Sequence, residues 1–555
     1  MSPKAGETWD LDFDFVIVGA GTTGCVLAAR LSESAQSRVL LLEAGGHDRH
    51  HWLKVPLGIG KIRGDERFHW KFFTEPEESM NGQRVYWPRG RVLGGSGSVN
   101  GMIYNRGQPA DYDLWRDEGN VGWGFSDLLP YFKKLETFPG GDPAWRGAEG
   151  PVFVTDLATD PDPLSDAFVA ASESAGYPRM HDYNAGANDV GTGYLQLNIR
   201  RGLRCSTSVA YLRDAMAREN LRVEVEAIAS RVVFSGKQAV GVEFVKGGRT
   251  VRAAARRCVI LSAGTVQSPQ LLELSGIGDA GQLQELGVPV VHHLPGVGEN
   301  LQDHIQVRLV YECNRPLTLN AVLGHPLRLS RMGLKFLLHR KGLMTTASAK
   351  TFTNVKALPE SRRADVKIQQ YMISGDSRHP GGADLVLDEF WGFSIGHNQM
   401  RPESRGSIHA RSRDARDPPL IRANYLSHET DSRAHVAAFK ISRKIASQQP
   451  LARLIVRERR PGSPLQSDDE LLAYCAETGH TSYHPVGTCK MGRDPLAVVD
   501  ARLRVHGLEG LRVMDASIMP TLTSCNTNVP AMVIGEKGAD LLREDFQLGG
   551  SPLLR

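Results

Sequence analysis

The stretch from Phe15 to Glu43 constrains the fold of this chain more than any other part of its sequence. Residues 15–18 form a short apolar run with β-branched side chains, which is typical of a buried parallel strand. A G-x-G-x-x-G sequence follows at residues 19–24, then a helical pattern and a second apolar run at residues 39–42. This order of strand, glycine turn, helix, strand and acid predicts a βαβ unit that binds a dinucleotide.

Each part of this unit has a physical role in nucleotide binding. Gly19 permits the tight turn, Gly21 lets the backbone approach a pyrophosphate, and Gly24 allows the helix to pack closely on the strand. The pyrophosphate would face the free N–H groups and the positive dipole end of the helix. Glu43 lies 19 residues after Gly24, where a carboxylate accepts hydrogen bonds from a ribose diol. The motif alone does not choose between NAD and FAD.

The composition excludes several classes of function. The chain has 555 residues, a net charge of only +4 and no dense basic stripe with interleaved aromatics, so we expect no nucleic-acid partner. Its seven cysteines are scattered without a C-x-x-C, and its adjacent histidine pairs lack metal-ligand spacing, so we expect no disulfide framework and no metal. With 41% apolar residues, no secretory signal and no run of 18 apolar residues, the sequence predicts a cytoplasmic protein without a transmembrane segment. Peripheral contact with the inner membrane stays open.

The composition of the remaining chain changes along its length. Residues 89–107 contain six glycines, which excludes an ordinary helix or strand. Residues 305–465 carry no glycine-rich motif and combine helical with alternating segments, which predicts a second domain with a sheet and helices. Dense motifs return from residue 471 onward. We therefore expect the dinucleotide-binding region to be discontinuous in sequence.

Five segments together resemble the glucose–methanol–choline (GMC) family of FAD-dependent oxidoreductases. In chain order they are GAGTTG with Glu43, RGRVLGGSGSVNGMIYNRG at 89–107, GTVQSPQLLELSGIG at 264–278, PGVGENLQDH at 295–304, and the C-terminal pair HPVGTCKMG at 484–492 and MDASIMPTLTSCNTNVPAMVIGEKGADLL at 514–542. They stand in family order and at family spacing over nearly the whole chain. Within the family the chain is most similar to bacterial choline-dehydrogenase-like and aliphatic alcohol dehydrogenases.

The resemblance implies an α/β fold, α+β overall. It consists of a Rossmann-like FAD-binding domain, discontinuous in sequence, and a substrate-binding domain with a sheet flanked by helices. We expect the FAD-binding region at residues 12–304, with a cap excursion near residues 137–200. The substrate-binding domain is expected at residues 305–465. Residues 471–545 would form a C-terminal segment that returns to the FAD domain and carries the catalytic residues.

The resemblance also implies FAD as the cofactor and names the residues that would bind it. The expected contacts are Gly19, Gly21, Gly24, Glu43, Arg91, Val92, Gly94, Gly95, Asn100, Gly101, Met102, Ile103, Ala229, Asp515, Ala516, Asn528 and Val529. Ala229 would hold the adenine, and Asn528 would lie near the isoalloxazine. Some members attach FAD covalently through a histidine just before the asparagine of the flavin loop. Here that position is Val99, so we expect non-covalent FAD.

Oxidation of an alcohol needs a base for the hydroxyl proton and a second group that holds the same oxygen. A histidine suits the base because its unperturbed pKa of about 6.5 lies near the working pH. By the resemblance, His484 matches the catalytic histidine of the family, and Asn526 stands where other members have histidine or asparagine. We expect His484 to be the base and Asn526 to be the hydrogen-bond partner of the alkoxide. His304, in the L-Q-D-H segment, is expected to be structural, and His480 is expected to be structural or pocket-lining.

The leading hypothesis is an FAD-dependent alcohol dehydrogenase that oxidises a primary alcohol to the aldehyde, or further to the acid, by hydride transfer to flavin N5. Its partners would be a small-molecule alcohol and an electron acceptor, which is a quinone, a dye or O2. Three alternatives remain: an alcohol oxidase that uses O2, a choline dehydrogenase, and a flavoprotein of the hydroxynitrile-lyase type. For choline, Glu389, Trp391 and Phe393 would offer a carboxylate and aromatic faces to the ammonium.

Overall fold

Two seven-stranded sheets organise the computed structural model, which describes residues 9–186, 189–376 and 386–549. The strands of these sheets are, in chain order, β1 Leu11–Val18, β2 Val39–Leu42, β3 Gly191–Tyr194, β4 Leu221–Glu224, β5 Ala227–Ser235, β6 Gln238–Lys246, β7 Arg249–Leu261, β8 Ile305–Cys313, β9 Ala349–Val355, β10 Val366–Tyr371, β11 Gly392–Gln399, β12 Ile455–Arg460, β13 His480–Thr481 and β14 Leu511–Val513. Shorter strands form separate two-stranded pairs around them.

The helices cover the two sheets. They are α1 Thr22–Leu31, α2 His51–Lys54, α3 Ile59–Ile62, α4 Pro109–Asp117, α5 Phe125–Leu135, α6 Pro163–Ser174, α7 Arg213–Ala215, α8 Gly264–Leu274, α9 Ala280–Glu285, α10 Leu319–Leu323, α11 Pro326–His339, α12 Glu429–Ala446, α13 Asp468–Thr478 and α14 Asn528–Asp545. Within the described ranges, none of the helices is both long and apolar enough to cross a membrane.

The first sheet has the strand order β4-β2-β1-β7-β6-β5, with β14 beside β7. Its strands β4, β2, β1 and β7 are parallel, whereas β5 and β6 continue from β7 as an antiparallel ribbon. All four residues of β2 are buried, as expected for a parallel strand that is covered on both faces. Together β1, α1 and β2 form the expected βαβ unit, and ligands of such sheets bind beyond the carboxyl ends of the strands.

The C-terminal helix α14 packs directly on α1. Gly535 makes this close approach feasible, because a Cβ atom there would lie 2.8 Å from the Cβ of Val26. The buried carboxylate of Glu536 accepts hydrogen bonds from Arg30 and from the Tyr211 hydroxyl. Helices α1 and α14 therefore share one core, although about 500 residues separate their contacts in the sequence.

The second sheet is antiparallel and has the order β12-β8-β11-β10-β9-β3, with β13 paired to β8. Two of its strands, β3 and β13, lie outside residues 305–465, where the sequence places the second domain. Alternate residues of β8, β10 and β11 face a core with α6, α12 and α13. The other face of these strands is polar and lines a cavity. The observed architecture confirms the expected mixed α/β fold class.

Candidate active site

A cavity of about 1080 Å³ lies between the carboxyl ends of β1 and β2 and the polar face of the second sheet. At one end its wall contains Glu43 and Ala229, and at the other His484 and Asn526. Residues 95–103, from the glycine-rich segment, form part of the wall between them. The cavity is thus elongated and joins the dinucleotide motif to the motifs at the C-terminus.

Most of the residues that the sequence assigns to the cofactor lie on this cavity. Those on its wall are Gly19, Gly21, Glu43, Gly95, Asn100, Gly101, Met102, Ile103, Ala229, Asp515, Ala516 and Asn528. Gly24, Arg91, Val92, Gly94 and Val529 are not among the wall residues. The latter group lies behind the wall: for example, the guanidinium of Arg91 stacks on Trp70 at 4.6 Å, and Val529 is fully buried in the core.

The glycine turn has the geometry that its sequence implies. Gly19 adopts a φ of +98°, and a Cβ there would lie 2.5 Å from the carbonyl oxygen of Ser262. A Cβ at Gly24 would lie only 1.9 Å from the carbonyl oxygen of Gly19. At Gly95 a Cβ would lie 2.7 Å from Cα of Gly21, so the glycine-rich segment reaches the start of α1. Side chains at these positions would separate the three segments.

The wall at this end suits an anionic dinucleotide. Gly21 is the N-cap residue of helix α1 and offers no side-chain cap, so the first N–H groups of the helix are available to a ligand. The Glu43 carboxylate accepts hydrogen bonds from the backbone N–H groups of Ala20 at 3.0 Å and Gly45 at 2.8 Å. Burial raises the pKa of Glu43 to about 7. The residues present therefore fit the ADP half of a dinucleotide: uncapped donors for the diphosphate and a carboxyl group for a ribose.

At the other end, His484 and Asn526 are in direct contact. The distance from Asn526 Nδ2 to His484 Nε2 is 2.9 Å, and Nδ1 of His484 lies 3.0 Å from Nδ1 of His304. On the far side, Nε2 of His304 lies 2.9 Å from the carbonyl oxygen of Met400. These four groups form one continuous chain of hydrogen bonds that ends at the cavity.

This chain assigns the tautomer of His484. The Met400 carbonyl can only accept, so His304 carries its proton on Nε2 and accepts on Nδ1. Burial lowers the pKa of His304 to about 4, so this ring is neutral near pH 7. His484 must then carry its proton on Nδ1, so the lone pair on Nε2 accepts the hydrogen bond from the Asn526 amide. Burial and, to a lesser degree, His304 and Lys367 hold the pKa of His484 well below its usual value.

The loop that carries His484 is held by Asp303, from the L-Q-D-H segment. One oxygen of this buried carboxylate accepts from the backbone N–H of His484 at 2.8 Å. The other accepts from the hydroxyl groups of Thr481, at 2.5 Å, and of Tyr425. Burial raises the pKa of Asp303 to about 6. Segments 295–304 and 484–492 thus meet in space, and the acid of the first positions the histidine of the second.

Several groups at the site were not found from the sequence. His304 was expected to be structural, yet it contacts His484. Lys367 places Nζ 3.4 Å from Oδ1 of Asn526, and Arg308 also lies on the wall. The alternating pattern of their strands places Lys367 and Arg308 on the polar faces, but it does not show that these faces line the cavity.

The three residues considered for a choline site lie elsewhere: Trp391 is 38% exposed, Phe393 is buried in the core, and neither they nor Glu389 line the cavity.

A separate cluster lies on the opposite face of the second sheet. His397, His435 and Cys475 are buried there, with ligand atoms within 4.8 Å of one another. Three such atoms fall short of the four ligands of a structural zinc site. The cluster does not line the cavity.

Comparison with known proteins places the chain in a family. Residues 13–306 and 402–535 match the N- and C-terminal parts of the family described as GMC oxidoreductase. Human mitochondrial choline dehydrogenase is 43% identical over 549 residues, which cover 97% of this chain and 91% of that relative. The oxygen-dependent choline dehydrogenase of Photobacterium profundum is 39% identical over 98% of this chain and 94% of its own length.

A solved structure agrees with these relatives. Pyridoxine 4-oxidase from Mesorbium loti has a TM-score of 0.86 and 30% sequence identity, over 97% of this chain and 100% of that chain. The likeness extends over both sheets, since nearly all of each chain is covered. The chain belongs to the GMC oxidoreductase family, and it is an FAD-dependent oxidoreductase that acts on CH–OH groups.

Proposed function

We propose that this enzyme is a dehydrogenase that oxidises a primary alcohol to the aldehyde, with His484 as base and Asn526 as the partner of the alcohol oxygen. The contact of 2.9 Å between the two side chains supports the proposal most directly, because it places the unprotonated Nε2 of His484 and an amide donor side by side on the cavity wall. Gly19, Gly21 and Glu43 of the dinucleotide motif line the same cavity.

The two side chains have complementary tasks. The substrate hydroxyl would take the place of the Asn526 amide as donor to Nε2 of His484, whose other nitrogen donates to His304 and so fixes the ring. As negative charge develops on the alcohol oxygen, the Asn526 amide N–H would donate to it. Bound FAD supplies the acceptor for the hydride that leaves the α-carbon. Because the neutral form of His484 is favoured by burial, the base is ready near pH 7.

We also propose the division of the chain that the motifs suggest. Residues 12–304 and 471–545 would form the FAD-binding domain, and residues 305–465 would supply most of the substrate-binding domain. The pairing of β14 with β7 and the packing of α14 on α1 support the return of the C-terminal segment. Gly19, Gly21 and Glu43 would hold the ADP half of FAD, and residues 95–103 would hold the flavin half.

Anaerobic mixing of the purified yellow protein with a panel of alcohols tests the proposed reaction. We expect at least one primary alcohol to bleach the visible band of the oxidised flavin. O2 or a quinone is then admitted, and recovery of the flavin band shows which of the two reoxidises the flavin. Reoxidation by O2 indicates an oxidase and reoxidation by the quinone alone a dehydrogenase. O2 has to be included because the relative from Photobacterium is described as oxygen-dependent. Release of cyanide from cyanohydrins without bleaching by any alcohol would overturn the proposal in favour of a lyase.

FAD is expected to leave the protein on acid precipitation. Val99, at the position of covalent attachment in some relatives, is an apolar side chain on the cavity wall and is 8% exposed. It has no atom that can form the bond to the flavin. After precipitation the supernatant should be yellow and the pellet colourless, as judged by absorbance spectra of both. A pellet that stays yellow after washing would contradict non-covalent binding.

We propose peripheral contact with a membrane on the cytoplasmic side, where a quinone acceptor would be reached. The support is helix α11, which has no acidic residue and presents apolar side chains to solvent. Its most exposed leucines are Leu327 at 71%, Leu334 at 55%, Leu337 at 68% and Leu338 at 66%. Basic residues flank them along residues 328–341. Exposed leucines with basic neighbours are typical of helices that lie on anionic lipid surfaces, and Leu329 and Met332 of the same helix line the cavity.

The double variant Leu337→Glu/Leu338→Glu should bind vesicles that contain anionic phospholipid at least about tenfold more weakly than the unaltered protein, because it removes apolar contact and adds like charge. Co-sedimentation at low and high salt measures the effect. Val121→Glu is the matched control, since Val121 is also 71% exposed but lies on another surface. Equal loss of binding in both variants would contradict a specific role for α11.

A further inference from the structure

We propose that the alcohol oxidised by this enzyme carries an anionic group, a carboxylate in the simplest case, which is bound by Arg308 with support from Lys367. The proposal rests on the alcohol oxidation proposed above and names the substrate class of the same site. It follows from the charges on the part of the cavity wall that the second sheet forms.

The polar face of the second sheet is the wall opposite the dinucleotide motif. In β8, β10 and β11 the side chains alternate between the core and the cavity, as the period of a strand requires. Val307, Leu309, Val366 and Ile368 lie in the core. The alternate residues on the cavity wall are Gln306, Arg308, Lys367, Gln369, Tyr371 and Asn398. Every one of these six side chains is polar, and two of them are cationic.

No acidic side chain balances these cations at the substrate end. Within the described part of the chain, the only carboxylates on the wall are Glu43 and Asp515. Both are bound to backbone N–H groups at the dinucleotide end: Glu43 to Ala20 and Gly45, and Asp515 to Gly264. Arg63 and Arg89 also line the cavity and add to its positive charge. A ligand that fills this end would meet an environment that favours negative charge.

Arg308 is placed to bind a carboxylate. Its Nε donates to Oε1 of Gln306 at 2.9 Å, and its guanidinium lies over the ring of Tyr371 at 4.2 Å. Among the described residues no carboxylate forms an ion pair with Arg308. A guanidinium that is held through Nε and by the ring of Tyr371 has its terminal N–H groups left for a ligand, and their planar fork matches the two oxygens of a carboxylate.

Lys367 lies beside the reacting end of the site. Its side chain is buried, and Nζ lies 3.4 Å from Oδ1 of Asn526. No described carboxylate pairs with it, and burial lowers its pKa to about 8. A bound anion would stabilise the ammonium form of this lysine. An alcohol with a carboxylate therefore gains from both cations, whereas a cationic alcohol is repelled by both.

Only part of the aromatic surface of the wall is open to a quaternary ammonium. Recognition of such a cation needs aromatic faces that are free. Of the four tryptophan and tyrosine rings on the wall, that of Tyr371 carries Arg308 at 4.2 Å and that of Trp70 carries Arg91 at 4.6 Å, which leaves Trp52 and Tyr483 against the cations of this end. We therefore expect choline to be a poor substrate for this chain, although the relatives named above are choline dehydrogenases.

Rapid anaerobic mixing of the holoenzyme with matched alcohols tests the proposal. The substrates are ω-hydroxycarboxylates of increasing chain length, the corresponding methyl esters, and choline. We expect the best hydroxycarboxylate to reduce the flavin at least about tenfold more efficiently, at limiting substrate, than its ester, since a charge-assisted hydrogen bond is lost in the ester. Choline should be the slowest of the set. Equal efficiency of acid and ester, or faster reduction by choline, would overturn the inference.

Variants connect this preference to the residues. Arg308→Gln should lower the ratio of acid to ester efficiency by about 10- to 100-fold, and Arg308→Lys should restore part of it. Arg457→Gln removes a guanidinium from β12 of the same sheet, outside the cavity, and should keep the ratio of the unaltered enzyme. The flavin spectrum and the Tm show whether each variant is folded.

The outcomes separate the two proposals. If no alcohol of the set or of the wider panel bleaches the flavin, the proposed function fails and the substrate class fails with it. If alcohols bleach the flavin but the acid-to-ester ratio is the same in Arg308→Gln as in the unaltered enzyme, only the assignment of an anionic substrate to Arg308 is wrong.

Discussion

Replacing His484 by alanine is expected to lower the rate constant of anaerobic flavin reduction by about 10²- to 10⁴-fold, the usual contribution of a positioned general base. The unprotonated Nε2 disappears with the ring, and the other described side chain that contacts Asn526 is Lys367, which is a cation and not a base near pH 7. FAD should stay bound, because His484 lies at the opposite end of the cavity from the dinucleotide motif. Stopped-flow absorbance of the flavin band at saturating alcohol measures the rate.

The partner residue and the pH profile sharpen this test. Asn526→Ala should slow reduction by about 10²- to 10³-fold, as loss of one donor to a developing alkoxide does elsewhere. Since the pKa of His484 is held well below its usual value, its base form persists as the pH falls through about 6.5. The reduction rate should therefore stay level there and fall only at lower pH. Unchanged reduction in His484→Ala would refute the assignment of the base.

Replacing Gly24 by valine should abolish both stable folding and flavin binding. A Cβ at this position would lie 1.9 Å from the carbonyl oxygen of Gly19, which is a backbone atom and cannot move without opening the turn. Overpacking of this kind costs about 1–3 kcal/mol or more, and here it also displaces the start of α1 from β1. The measurements are the ratio of flavin to protein absorbance after purification and the Tm.

A glycine close by provides the control. Gly46→Ala should remain yellow and keep its Tm, because a Cβ at Gly46 has nothing within 4 Å and the residue does not line the cavity. Gly24 lies in α1 and Gly46 lies in the loop after β2, so the two are close in sequence but only Gly24 makes the helix-to-strand contact. A Gly24→Val protein with full flavin content and unchanged Tm would show that α1 does not need to approach β1 so closely.

Local features of this protein were predictable from its sequence, since short-range chemistry decides them. The turn at Gly19 and the close packing at Gly24 follow from the absence of side chains. The place of Glu43 follows from the length of a βαβ unit. His484 and Asn526 were expected from the family pattern, and the structure brings them together at 2.9 Å.

Features that depend on distant pairing were not predictable. Lys367 contacts Asn526 because the face of β10 that carries it lines the cavity. Strand alternation alone does not show which face of β10 that is. Likewise β3 joins the second sheet by pairing with β9, more than 150 residues further along the chain. The role of His304 required the position of Met400, since the carbonyl of that residue determines which ring nitrogen carries the proton.

The contact between α1 and α14 has a consequence for synthesis of the protein. On the ribosome, the N-terminal dinucleotide motif emerges early, but the residues that pack on its helix, Ala531, Gly535 and Glu536, are among the last to appear. The side of α1 that packs on α14 therefore has no partner until residues 528–545 have been made. Because Asp515, Ala516 and Asn528 also line the cavity, we expect FAD to bind stably only after this segment has been synthesised.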